Sequence, residues 1–108
     1  MAIMTQQATG SSSVAMTVTP TGASQLESIR IHLSSAGGAG SFTVTVDAAA
    51  GSAYDTVILT QDMTSVTNYI WQPSQPISLK SDDKIVIAWA NANGRTYGID
   101  VYYRSIAG

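Results

Sequence analysis

ESIRIHLSSAGGAGSFTVTVD, residues 27–47, decides the fold. In its first half Ile29, Ile31 and Leu33 alternate with Arg30 and His32; in its second, Phe42, Val44 and Val46 alternate with Thr43 and Thr45. Successive side chains of a strand point to opposite sides, so this period of two marks two strands, each with one face in a core. The β-branched and aromatic residues at the apolar positions favour the same geometry. Between the runs, Ser34 to Gly40 reads as a flexible loop or tight turn, because its glycines tolerate positive φ.

The same period extends outward from this pair. Upstream, SVAMTVT (13–19) places Val14, Met16 and Val18 on one face and is ended by Pro20 and Gly22. Downstream, AAAGSA (48–53) reads as a loop, since Gly51 and the shortness of the run work against a helix. YDTVILTQ (54–61) holds three consecutive apolar residues, Val57, Ile58 and Leu59, which predict burial on both faces or a bulge. NYIWQ (68–72) is a strand that Pro73 and Pro76 terminate. ISLKSDDKIVIAWAN (77–91) joins a short strand to a long one through a polar turn at Lys80 to Lys84, and TYGIDVYYR (96–104) follows. Asn93-Gly94 between the last two runs predicts a β-hairpin.

Eight such runs predict an all-β fold, a two-sheet antiparallel β-sandwich of jelly-roll type with about eight strands. A chain of 108 residues suits one domain, taken here as 14–108. Residues 1–13 are rich in Gln, Thr, Ser and Ala and bury too little apolar surface to fold alone. They predict an extended N-terminal arm with two readings. Either a partner chain holds it, through Met1, Ala2, Ile3, Met4, Thr5, Gln6 and Gln7, or it lies along its own sheet as an edge strand.

Composition narrows the partners. Ser and Thr supply 26 residues whereas Asp, Glu, Lys and Arg supply only 12, so solubility rests on hydroxyls and amides. A net charge of −2 gives no basic footprint for nucleic acid or anionic membrane. The absence of cysteine and the single histidine exclude disulfides and structural zinc, and no cofactor is expected. The opening residues have neither the basic start nor the apolar stretch of a secretory signal, which predicts synthesis in a cytoplasm.

Catalytic signatures do not emerge from the spacing. Asp82-Asp83 is the one adjacent carboxylate pair and reads as a turn, with a weak calcium site as its alternative. His32 points away from the inferred core, and no Gly-X-Ser-X-Gly elbow singles out a nucleophile among the serines. The chain is therefore read as non-enzymatic. Trp89 shares the parity of Ile85 and Ile87 and belongs to the core, while Trp71 fits either side. Tyr69, Trp71 and Tyr102 are the candidate exposed aromatics, and a glycan stacked on such rings predicts that they lie in one plane.

ESIRIHLSSAGGAGSFTVTVD, YDTVILTQDM and QPISLKSDDKIVIAWANANGRTYGIDVYYR together resemble small β-sandwich accessory proteins of tailed-bacteriophage virions. The resemblance lies in the rhythm of strands and turns, with a Trp-bearing strand and an aromatic final strand, rather than in one motif. It implies a head decoration or cement protein that binds the major capsid protein and copies of itself on the capsid surface, after synthesis in the bacterial host cytoplasm. A tail, neck or fibre module meeting a host glycan is the alternative.

Overall fold

The computed structural model describes residues 3–20 and 22–105. Within them lie nine strands: β1 (Ile3–Gly10), β2 (Val14–Val18), β3 (Ser24–Leu33), β4 (Ser41–Asp47), β5 (Thr56–Asp62), β6 (Asn68–Trp71), β7 (Ile77–Leu79), β8 (Lys84–Trp89) and β9 (Tyr97–Ser105). The AAAGSA region holds only a single 3-10 turn, Ser52–Tyr54.

The strands pair antiparallel in a nested order, as in one long hairpin. Ile3 lies opposite Arg104, Val14 opposite Trp89, Ser24 opposite Leu79, and Ser41 opposite Asp62. Folding that hairpin over on itself brings β9 against β3 and β8 against β4. The first sheet runs β1-β9-β3, with β6 and β7 both paired to the far side of β3; the second runs β2-β8-β4-β5. This is a jelly-roll sandwich in which β6 and β7 are two halves of one strand. Pro73 and Pro76 cause the break, since proline supplies no N–H to a ladder.

Alternation builds the core. Phe42, Val44, Ile85 and Ile87 of the second sheet and Leu26, Ile29, Ile99 and Val101 of the first are all buried in one apolar cluster. Each such side chain contributes roughly 1.5–3 kcal/mol through removal from water. Two irregularities keep the phase. Glu27 is an extra residue in β3 opposite β9, so Ser24 and Leu26 face inward before it and Ile29, Ile31 and Leu33 after it. The apolar triplet of β5 is likewise a bulge: Val44 faces Leu59, Thr45 faces Val57, and Ile58 is the residue between.

The hairpin expected at Asn93-Gly94 does not form. β8 and β9 belong to different sheets, and Asn91-Ala92-Asn93-Gly94 is the corner between them. Its pivot is Asn91, buried at φ +50°. Asn91 Nδ2 donates to the carbonyls of Ser12 and Arg95, both at 2.9 Å, and its Oδ1 accepts from the Arg95 N–H at 3.0 Å. A turn sequence specifies a reversal, whereas the pairing partner is chosen by distant strands, here β2 and β4 for β8.

Two other loops are fixed to the sandwich. Asp83 is a turn residue: its carboxylate accepts from the Ala49 and Lys80 N–H groups, each at 2.9 Å, which ties the β7–β8 turn to the loop after β4. The glycine-rich loop lies against the segment after β5, where Ser65 N–H donates to Gly37 at 3.1 Å and Gly37 N–H donates to Val66 at 3.0 Å. Any Cβ at Gly37 would stand 2.5 Å from the Met63 carbonyl oxygen, so only glycine permits this approach.

Of the two readings of the opening segment, the intramolecular strand is the one found within the chain. All eight residues of β1 lie opposite β9, and Gln6 Nε2 donates to the Thr17 carbonyl at 3.2 Å, linking β1 to β2. Met1 and Ala2 fall outside the described residues.

Parity in β4 is directly testable. Val44→Asp places an unpaired carboxylate in the core and should remove at least ~4 kcal/mol of stability, abolishing the cooperative melt seen by circular dichroism. Thr45→Asp, on the solvent side of the same strand, should change stability by no more than ~1 kcal/mol. Equal effects would show that the assigned phase is wrong.

Candidate binding faces

Because both sheets turn most of their apolar side chains inward, each leaves one outer face whose composition follows from register. On the first sheet, aligned positions run across β1, β9, β3 and β6. One row is Gln7, Asp100, Arg30 and Ile70; the next is Thr9, Gly98, His32 and Asn68. Tyr102 stands beside Thr5 and Ser28 in a third.

Gln7, Asp100, Arg30 and Tyr102 form one polar network, and His32 and Asn68 form a separate pair. Asp100 accepts from Gln7 Nε2 at 2.5 Å and from Arg30 at 3.0 Å. Arg30 also donates to the Tyr102 hydroxyl, and its guanidinium carbon stands 4.7 Å from the Tyr102 ring centroid. His32 Nδ1 and Asn68 Oδ1 meet at 2.5 Å. The Arg30–Asp100 side chains are 47% and 26% exposed, so solvent screening limits that ion pair to about 0–1 kcal/mol. The network therefore orients side chains more than it stabilises the fold. A second pair, Arg104 with Glu27 at 3.0 Å, marks the β3 bulge.

A depression crosses this face at Gly98, and its lining includes Gln7, Thr9, His32 and Asp100. It continues toward β6 past Asn68 and Ile70, the latter 62% exposed. Gly98 is not a positive-φ glycine, and a Cβ there would meet nothing within 4 Å. Neither backbone conformation nor packing within the chain calls for glycine at this position.

The second sheet presents the opposite chemistry. Across β2, β8, β4 and β5 run two complete rows: Thr17, Val86, Thr45 and Val57, then Ala15, Ala88, Thr43 and Thr60. None of the eight carries a charge. Charges appear only at the ends of these strands, Lys84 opposite Asp47 at one and Asp62 opposite Ser41 at the other. The Thr64 N–H and then its hydroxyl hold the Asp62 carboxyl below its ordinary pKa. Their support of that turn is thus present at neutral pH and is lost as pH falls through the lowered value.

The sequence-identified residues are distributed unevenly over these faces. Ile3 to Gln7 lie in β1 at the edge of the first sheet. Tyr102 projects outward as expected. Tyr69 and Trp71, offered as exposed aromatics, instead share the phase of Ile31 and Ile29 and pack against the core. The three therefore do not form one exposed plane, and β6 is too short and too close to prolines for its phase to be read from alternation. Trp89 is buried as its parity indicated. Among the described residues, no three of His, Asp and Glu converge as a cation site. Alternation does not single out Gly98; its sequence signal is a glycine inside the alternating run TYGIDVYYR, which marks weakness in a strand or close approach by another group.

Gly98→Ala should raise stability in urea unfolding by about 0.5–1 kcal/mol, since the new methyl enters open space at an ordinary backbone angle. A loss would reveal an unrecognised packing demand. In comparisons with known proteins, the chain matches no family model, and no curated protein matches it.

Proposed function

We propose that this chain is a non-enzymatic structural protein of a bacteriophage virion, a capsid decoration or cement protein. It binds the major capsid protein lattice, in company with copies of itself, through the outer face of its second sheet. Jelly rolls serve in capsid and sugar-binding domains alike, so the argument rests on surface chemistry and not on the fold.

The observation that carries this reading is the pair of uncharged rows spanning all four strands of the second sheet. Covering such a face strips water from methyl groups and hydroxyls but from no ion, which avoids the largest desolvation penalty of assembly. The resemblance of the strand rhythm to phage accessory proteins supports the same role.

The patch is small. With strands about 4.8 Å apart and about 3.4 Å per residue, the two rows cover on the order of 300 Å². A stable pairwise interface buries about 800 Å² per partner, so binding by one copy through these rows alone is weak. Two features compensate. A lattice offers many equivalent sites, and multiple engagement multiplies weak contacts. In addition, β1 occupies the sheet edge, where unpaired backbone groups accept a neighbour's strand. Ile3 to Gln7 thus keep a partner-binding role as an edge rather than a free arm. The polar outer face of the first sheet favours the second reading, a tail, neck or fibre module.

Charge insertion distinguishes the two faces. Val86→Lys and Thr43→Glu should each reduce co-sedimentation with capsids lacking this protein at least tenfold, with melting temperature nearly unchanged. Ile70→Lys, at an exposed position on the other face and away from the β1 edge, should attach normally. Full attachment by both second-sheet variants would remove that face from the interface.

A further inference from the structure

We propose that the trough over Gly98 is a binding site for a neutral, hydroxyl-rich saccharide. Gly98 sits in β9 with Thr9 beside it on one strand and His32 on the other. An interior strand glycine sacrifices roughly 0.5–1 kcal/mol relative to alanine. Four glycines of the chain have positive φ, namely Gly22, Gly40, Gly51 and Gly94, and Gly37 is enforced by the Met63 carbonyl. Gly98 has neither explanation. A bare backbone in a strand also permits close approach by something outside the chain.

The lining identifies what approaches. The depression is an open one of about 420 Å³ between β1 and β3, within the size range of small-molecule sites. A second of about 350 Å³ shares Gly98, His32 and Asp100 and extends it toward β6. Donors and acceptors are interleaved along this path. Asp100 oxygens and the Gln7 amide carbonyl have lone pairs beyond the bonds described, the Asn68 amide carries two N–H donors, and His32 has a second ring nitrogen. A sugar hydroxyl both donates and accepts, and so matches such a mixture.

Charge and shape exclude the main competitors. Arg30 and Asp100 neutralise each other at 3.0 Å, leaving no net charge to select a phosphate, carboxylate or ammonium group. A protein partner held at high affinity needs a deep pocket for an aromatic or aliphatic anchor, and this shallow trough, open to solvent, supplies none. Exposed Ile70 at the far end offers an aliphatic surface to the C–H face of a sugar ring. Since the two outer faces lie on opposite sides of the sandwich, attachment through the second sheet would display the trough to solvent. Only that orientation rests on the capsid reading; the site itself does not.

The test uses the free, full chain. Nitrogen-15 NMR titrations with methyl glycosides of neutral hexoses and N-acetylhexosamines, and with matched uronic acids, should shift the amides of Gly98, His32 and Asp100 with the neutral sugars. Gly98→Leu, which fills the trough from an open position, should weaken binding at least tenfold while retaining the wild-type circular dichroism spectrum. If that variant misfolds, the Gln7→Ala/His32→Ala double variant replaces it with the same expected loss. The proposal is overturned by no response to any neutral sugar, by preference for the uronic acids, or by undiminished binding in the filled trough. It is equally overturned if Gly98→Leu loses capsid attachment while no sugar binds the wild type, which would make the trough a protein contact. Because sugar binding is read without capsids, its failure leaves the capsid interface standing, and failure of capsid attachment leaves the sugar site standing.

Discussion

Everything in this molecule depends on the nested antiparallel register that sets Ile3 against Arg104, Val14 against Trp89 and Ser41 against Asp62. A strand has two sides, so a slip of one residue in any pair would exchange its core face for its solvent face. The nesting makes each correct pair bring the next into reach, and folding the long hairpin over buries Phe42, Val44, Ile85 and Ile87 with Leu26, Ile29, Ile99 and Val101. Two bulges, at Glu27 and Ile58, absorb the phase errors that would otherwise turn Leu26 or Leu59 outward. The outer faces are then by-products of the same register, and their contrasting chemistry is available for binding without disturbing the core.

Much of this could be read from local sequence. Val14, Met16 and Val18, or Phe42 and Val44, announce their strands because one side meets water and the other does not. The triplet Val57-Ile58-Leu59 left burial on both faces or a bulge open, and the register shows the bulge. What escaped depends on distant partners. Asn93-Gly94 indicated a reversal but not that the strands on either side would join different sheets. Polar β1 gave no alternation because its described side chains lie at an edge and its hold on β9 is largely backbone pairing.

The candidate sites were less accessible for a related reason. A surface row is assembled from one residue of each of four strands, so Thr17, Val86, Thr45 and Val57 acquire meaning together only after the register is known. Tyr69 and Trp71 lie in a short run beside prolines where alternation leaves the facing side open, and pairing with Ile31 and Ile29 turns them toward the core. Gly98 carries no side chain whose periodicity could be noticed. Its significance comes from neighbours in β1 and β3, remote in sequence, that wall the space it leaves.

A cryo-electron microscopy map of intact virions carrying this chain tests the proposed role most directly. Density for the jelly roll on the head, with Thr17, Val86, Thr43 and Thr60 against the major capsid protein and Gly98 toward solvent, is the predicted result. Density only at the tail, or a head-bound copy with the second sheet facing solvent, would contradict it.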